Sequence, residues 1–150
     1  MKKMQNWITA ENIGQLMHET TLIQFDIPLL FTCLDANRNR YLVVCSNEET
    51  GEYVAAKITT TELLDMLQNT ETMYNTFRNA GKIARIYCVP NKKEYVWDTT
   101  DQKSISDEML PDKGKYFELH NEKIREFITG LHQSALDEYE PDTQKQYQSL

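Results

Sequence analysis

The sequence predicts an α+β fold: a mainly antiparallel sheet of about five strands, packed with an amphipathic C-terminal helix and one or two shorter helices. Three observations predict it. Short runs rich in β-branched and aromatic residues recur between Leu22 and Ile58 and again between Lys82 and Thr100, each bounded by polar turn clusters. A capping-box pattern at Thr59–Glu62 opens an apolar stretch of helical period between the two groups. A longer stripe of the same period follows Asn121. With 150 residues the chain has the size of one domain, and residues 1–150 read as a single domain whose tail frays from about residue 140.

The first element is a helix expected over Ala10–Glu19, where Ile13, Leu16 and Met17 recur at helical spacing, weakened by Gly14. From Leu22 the period changes to that of strands. LIQFDIPLLFTCL, RYLVVCS and EYVAAKI are separated by ANRN and NEETG, polar clusters that turn the chain and make the three runs an antiparallel meander. Thr59 then starts a helix carrying Leu63, Leu64, Met66 and Leu67. A further helical turn from Thr70 sets Met73, Phe77 and Ala80 on one side, with Gly81 expected as a left-handed cap.

Strands return as KIARIYCV and EYVWDTT, joined through Pro90–Lys93 into a hairpin. Asp101–Lys115 is polar, contains Pro111 and Gly114 and has no sustained period, so it reads as an excursion with one short turn or strand. After Asn121, a suitable N-cap, Ile124, Phe127, Ile128, Leu131 and Ala135 form the apolar face of the last helix, whose natural cover is the sheet.

Composition narrows the function classes. Forty per cent hydrophobic and 26% charged residues describe a chain that folds on its own. No apolar run approaches the roughly 18 residues of a membrane span, and MKKMQNWITAENIG has no apolar core of a leader, so a cytoplasmic protein without a membrane partner is expected. Cys33, Cys45 and Cys88 are odd in number and sit in apolar runs, as reduced, buried thiols do. The net charge of −7 opposes general attraction to nucleic acid or anionic lipid.

Several motifs invite chemistry. TGEYVAAKI resembles the strand that carries the phosphate-pairing lysine of protein kinases. A kinase also needs a Gly-rich turn, a catalytic loop and a metal-binding D-F-G, none of which is in the chain, so Lys57 reads as a solvent-facing sheet residue opposite the buried Val54, Ala56 and Ile58. Asp35-Ala36-Asn37-Arg38-Asn39 begins like a calcium loop, but Arg40 stands at the glycine position and Ser46 at that of the bidentate glutamate; it reads as a hairpin turn. His18, His120 and His132 have no ligand partner at metal spacing, and no cofactor or metal is expected. A nucleophile elbow is missing from the sequence. Asp98, Asp101, Asp107 and Glu108 cluster beyond a strand end and could serve acid–base or metal chemistry; a small carboxylate-dependent hydrolase or nuclease using Asp98, Asp101 and Glu108 is therefore one reading.

The hairpin Lys82–Trp97 concentrates cations in an otherwise acidic chain. Arg78, Lys82, Arg85, Lys92 and Lys93 are interleaved with Tyr87, Tyr95 and Trp97, the composition of protein hot spots and of base-stacking sheets. Tyr95 and Trp97 share one strand face, so their burial under the C-terminal helix is the plainest reading, followed by a protein interface and then a nucleic-acid interface. Arg85, Lys92, Lys93, Tyr95 and Trp97 are the partner-binding candidates.

Phe25-Asp26-Ile27-Pro28-Leu29-Leu30-Phe31, the turn after it, Tyr41-Leu42-Val43-Val44 and the helix after Ile58 resemble a family of small uncharacterised bacterial proteins, a domain of unknown function, over about residues 22–80. The resemblance implies a bacterial or phage-linked α+β domain and brings no site. The functional expectation is a non-enzymatic interaction or regulatory protein, such as an inhibitor or accessory factor, with a protein partner. Nucleic-acid binding through the hairpin is an alternative, and self-association stays open.

Overall fold

The computed structural model describes residues 8–10, 14–24, 28–89, 94–118 and 121–133, with side chains over 16–24, 29–87, 96–118 and 121–133. The fold is α+β, as the sequence predicts. Among the described residues seven strands, β1 (Ile8–Ala10), β2 (Gly14–Gln24), β3 (Pro28–Leu34), β4 (Arg40–Asn47), β5 (Glu52–Ile58), β6 (Lys82–Val89) and β7 (Glu94–Thr100), form one antiparallel meander in chain order. Helices α1 (Thr60–Leu67) and α2 (Met73–Arg78) lie between β5 and β6, and α3 spans residues 122–133.

The expected N-terminal helix is replaced by the long strand β2. Leu16 and Met17 do lie at helical spacing from Ile13, but β2 pairs with β1 at Leu16, opposite Ile8, and with β3 from Met17, opposite Leu34, to Gln24, opposite Pro28. Register shifts flank Glu19 and Leu22, and such bulges re-aim side chains. Leu16 faces one apolar cluster and Leu22 the other. The run read as one strand, LIQFDIPLLFTCL, is divided between β2 and β3, which together with β1 raises the strand count above five.

The first and last strands, β1 and β7, come within 8 Å, Cα to Cα, so the sheet curls toward a barrel. Its inner face holds Leu16, Phe31, Tyr41, Val43, Tyr53 and Ile86, a cluster built only from strand residues. Its outer face, with Leu30, Leu42, Val54, Ala56, Ile58 and Ile83, is covered by Leu63, Met66 and Leu67 of α1, Phe77 of α2, and Ile124 and Leu131 of α3. Tyr53 and Ala55, which strand alternation puts on the same face as Lys57, are therefore buried inside the curl. Lys57, on that same inner face, is half-exposed at the strand end.

Local chemistry explains the helices. Thr59 accepts from the Glu62 amide at 3.1 Å while the Glu62 carboxylate accepts from the Thr59 amide at 2.8 Å, a complete capping box. Thr72 caps α2 through the Asn75 amide, and Asn121 caps α3 through the Ile124 amide. Gly81 is not the left-handed cap expected of it; that backbone conformation occurs at Asn69, just past α1. The excursion after β7 is two short 3-10 turns, Gln102–Ser104 and Asp107–Met109, anchored by buried Ile105, Leu110 and Phe117. Arg78 ties it down by donating to the Gln102 and Ile105 carbonyls at 2.8 and 2.7 Å and to Asp107 at 2.7 Å. Among the described residues no helix is long and apolar enough to cross a membrane.

Candidate functional site

The β6–β7 hairpin does not gather the described cations and aromatics on one surface. Arg85 stands opposite Asp98, whereas Trp97 stands opposite Ile86, so strand alternation sends Arg85 and Trp97 to opposite faces. Arg85 pairs with Glu52 at 3.1 Å and lies over the Tyr87 ring. Trp97 turns inward against Tyr41 rather than under α3, and its indole N–H donates to Thr99 Oγ1 at 3.2 Å. Lys92 and Lys93 lie outside the described residues, as does the Tyr95 side chain, although the Tyr95 backbone pairs with Cys88.

Two of the four acidic candidates, Asp101 and Asp107, have structural tasks. Asp101 accepts from the amide and hydroxyl of Ser104, capping a 3-10 turn. Asp107 accepts from Tyr74 at 2.6 Å and from Arg78 and Lys113, bonds that hold its carboxyl well below the usual range. Asp98 is exposed on β7, and Glu108 borders an apolar groove with Met109 and Leu110. Among the described residues no group of three or more His, Cys, Asp or Glu side chains could hold a metal ion. Burial first, then the nearby Glu19 charge, pushes the Cys33 thiol up to about 12, which removes it as a nucleophile.

A different set of residues does converge. At the end of the barrel where β4 begins and β5 ends, a cleft of about 590 Å3 is lined by Arg38, Arg40, Lys57, Thr60, Glu62 and Lys82, among others. Arg38 comes from the β3–β4 turn, Lys57 from the end of β5 and Lys82 from the start of β6. Lys57 stands directly opposite Lys82, and like charges facing each other across two strands repel.

The cleft's charges are not equally available. The Arg40 guanidinium is engaged at both ends of its fork by Glu19, at 2.9 and 2.7 Å, and donates to Thr60 Oγ1 at 2.8 Å; this pair is largely buried and belongs to the fold. Glu62 is turned onto the Thr59 amide. Among the described residues, Arg38, Lys57 and Lys82 form no ion pair.

The backbone beneath Arg38 is held in place. Asp35, 6% exposed, accepts from the Asn37 and Asn39 amides, the Asn39 side chain and the Tyr41 hydroxyl, all at 2.9–3.0 Å. Burial alone would raise the Asp35 carboxyl, but the bonds from Asn39, Tyr41 and Asn37 outweigh it and hold it below its ordinary value. This turn places Arg38 at φ 67°, the left-handed region, a strain on the order of 1–3 kcal/mol for a residue with a Cβ. The next turn along the chain meets the same need with Gly51 at φ 71°. Arginine is thus kept where glycine would fit with less strain.

The sequence reading singled out Lys57 and Lys82 for other reasons and met Arg38 only as part of a turn. The missed signal is an arginine in the left-handed position of a hairpin, and the strand register needed to join the three is not a local property of the sequence. Comparison of the chain with protein-family models, curated proteins and solved structures finds no match.

Proposed function

We propose that the chain is a non-enzymatic interaction protein, a regulator or inhibitor acting in the cytoplasm, which holds an anionic group of its partner in the cleft formed by Arg38, Lys57 and Lys82. One observation carries this reading. In a protein of net charge −7, three cations without an ion pair among the described residues meet at one concave site, although two of them repel each other across adjacent strands. A stable fold gains nothing from that arrangement by itself, whereas a bound anion offsets the repulsion. A concave cluster also suits a compact anion better than a long polyanion, which the acidic remainder of the molecule would repel. The resemblance over residues 22–80 suits a bacterial accessory or phage-linked gene and belongs to the same proposal.

Capture of partners from a bacterial lysate, read by mass spectrometry for the wild type and for Lys57→Glu/Lys82→Glu side by side, tests the reading. Partners held by the wild type should be lost from the reversed-charge variant while its circular dichroism is unchanged. Recovery of the same partners by both proteins would refute it.

A further inference from the structure

We infer that the anion is a phosphate monoester, held jointly by Arg38, Lys57 and Lys82; this deepens the interaction reading above and rests on it. Charge count favours it over a carboxylate. A phosphate monoester carries about −1.5 to −2 near neutral pH and presents three strongly accepting oxygens, so one group can answer three donors. A carboxylate can accept from several donors, as Asp107 does from Tyr74, Arg78 and Lys113, but it brings one charge and so answers only one of the three cations.

Geometry favours the same ligand. The donors line one cleft from three separate elements, the β3–β4 turn, β5 and β6, an arrangement that suits a group with oxygens on more than one side. Lys57 and Lys82 are registered opposite one another, a spacing across which one dianion can bridge both ammonium groups. The backbone at Arg38 is fixed by a turn whose Asp35 carboxylate is engaged by four donors, so only side-chain freedom is lost when Arg38 closes on the ligand. At the helix N-terminus beside the cleft, the Thr59 and Glu62 amides are already engaged by the capping box. About 590 Å3 exceeds what a phosphate fills and leaves room for the body that bears it. That body is either a phosphorylated small molecule or a phosphorylated side chain of a protein.

Isothermal titration distinguishes these sources. Wild-type protein is titrated with glucose 6-phosphate, with a phosphoserine heptapeptide, and with the same peptide carrying glutamate or unmodified serine. The phosphorylated ligand of the correct source should bind at least tenfold tighter than the glutamate peptide, and Lys57→Gln/Lys82→Gln, which leaves polar side chains one atom shorter and removes the repulsion, should lose at least tenfold of that affinity while melting no lower than wild type. Equal affinity for the phosphoserine and glutamate peptides would overturn the phosphate assignment and leave an anionic partner standing. Binding of none of the probes would overturn it too. If the lysate partners also survived Lys57→Glu/Lys82→Glu, the interaction reading would fall with it.

Discussion

Tyr41 and Trp97 meet edge to face, their ring centroids 5.2 Å apart at 83°, although β4 and β7 are three places apart in the sheet. In a flat sheet three strand spacings come to roughly 14 Å, so this contact exists only because the sheet curls. Trp97→Ala should therefore cost about 2–4 kcal/mol in chemical denaturation, and a double-mutant cycle with Tyr41→Ala should show a coupling of about 0.5–1.5 kcal/mol. Strict additivity would mean that the two rings do not close the inner face together.

Arg38→Gly should separate stability from binding. Glycine relieves the left-handed strain but frees the unfolded chain, so the net expectation is a gain of up to about 1 kcal/mol, measured as a higher denaturant midpoint at unchanged slope. Anion affinity should fall in the same variant. Loss of stability would show that the Arg38 side chain supports the turn itself.

The Asp35 network gives acid sensitivity with a defined sign. Its carboxyl is depressed in the folded protein relative to the unfolded value near 3.8, so its contribution is complete above that value and is lost as pH falls through the lower folded one. Asp35→Asn should flatten the fall in melting temperature below about pH 4. At neutral pH, Asp35→Ala should cost about 1–3 kcal/mol, because the Tyr41 hydroxyl loses its acceptor. An acid limb identical in Asp35→Asn and wild type would assign it to other carboxyls.

Arg78 offers a test by local opening. Its four bonds to Gln102, Ile105 and Asp107 and its position over the Tyr74 ring, 5.3 Å from the centroid, hold residues 101–118 against α2. Arg78→Ala should raise amide exchange in that segment well before the sheet responds. Exchange that rises uniformly across the molecule would show that the excursion and the sheet unfold as one unit.

What the sequence disclosed and what it withheld divide along physical lines. The caps at Thr59 with Glu62 and at Asn121, and the stripe through Ile124 and Leu131, depend on neighbours a few residues away and were legible. The segment around Leu16 and Met17 is a strand because pairing with β1 and β3 outweighs a weak local helical spacing. The face of β5 that carries Lys57 reads as solvent-facing because alternation reports two faces without telling that the sheet curls over one of them, burying Tyr53 and Ala55. The cleft was hidden for the same reason: Lys57 and Lys82 are 25 positions apart in sequence and meet only through the β5–β6 register.

Amide chemical shifts recorded while inorganic phosphate is titrated into the full chain bear on the cleft with residue resolution. If Arg38, Lys57 and Lys82 hold an anion, the amides at and beside these three residues should shift together along one saturable curve, and the curve should vanish in Lys57→Gln/Lys82→Gln. Shifts confined to the β6–β7 hairpin, or a linear drift with no saturation at any of the three, would place the functional surface elsewhere.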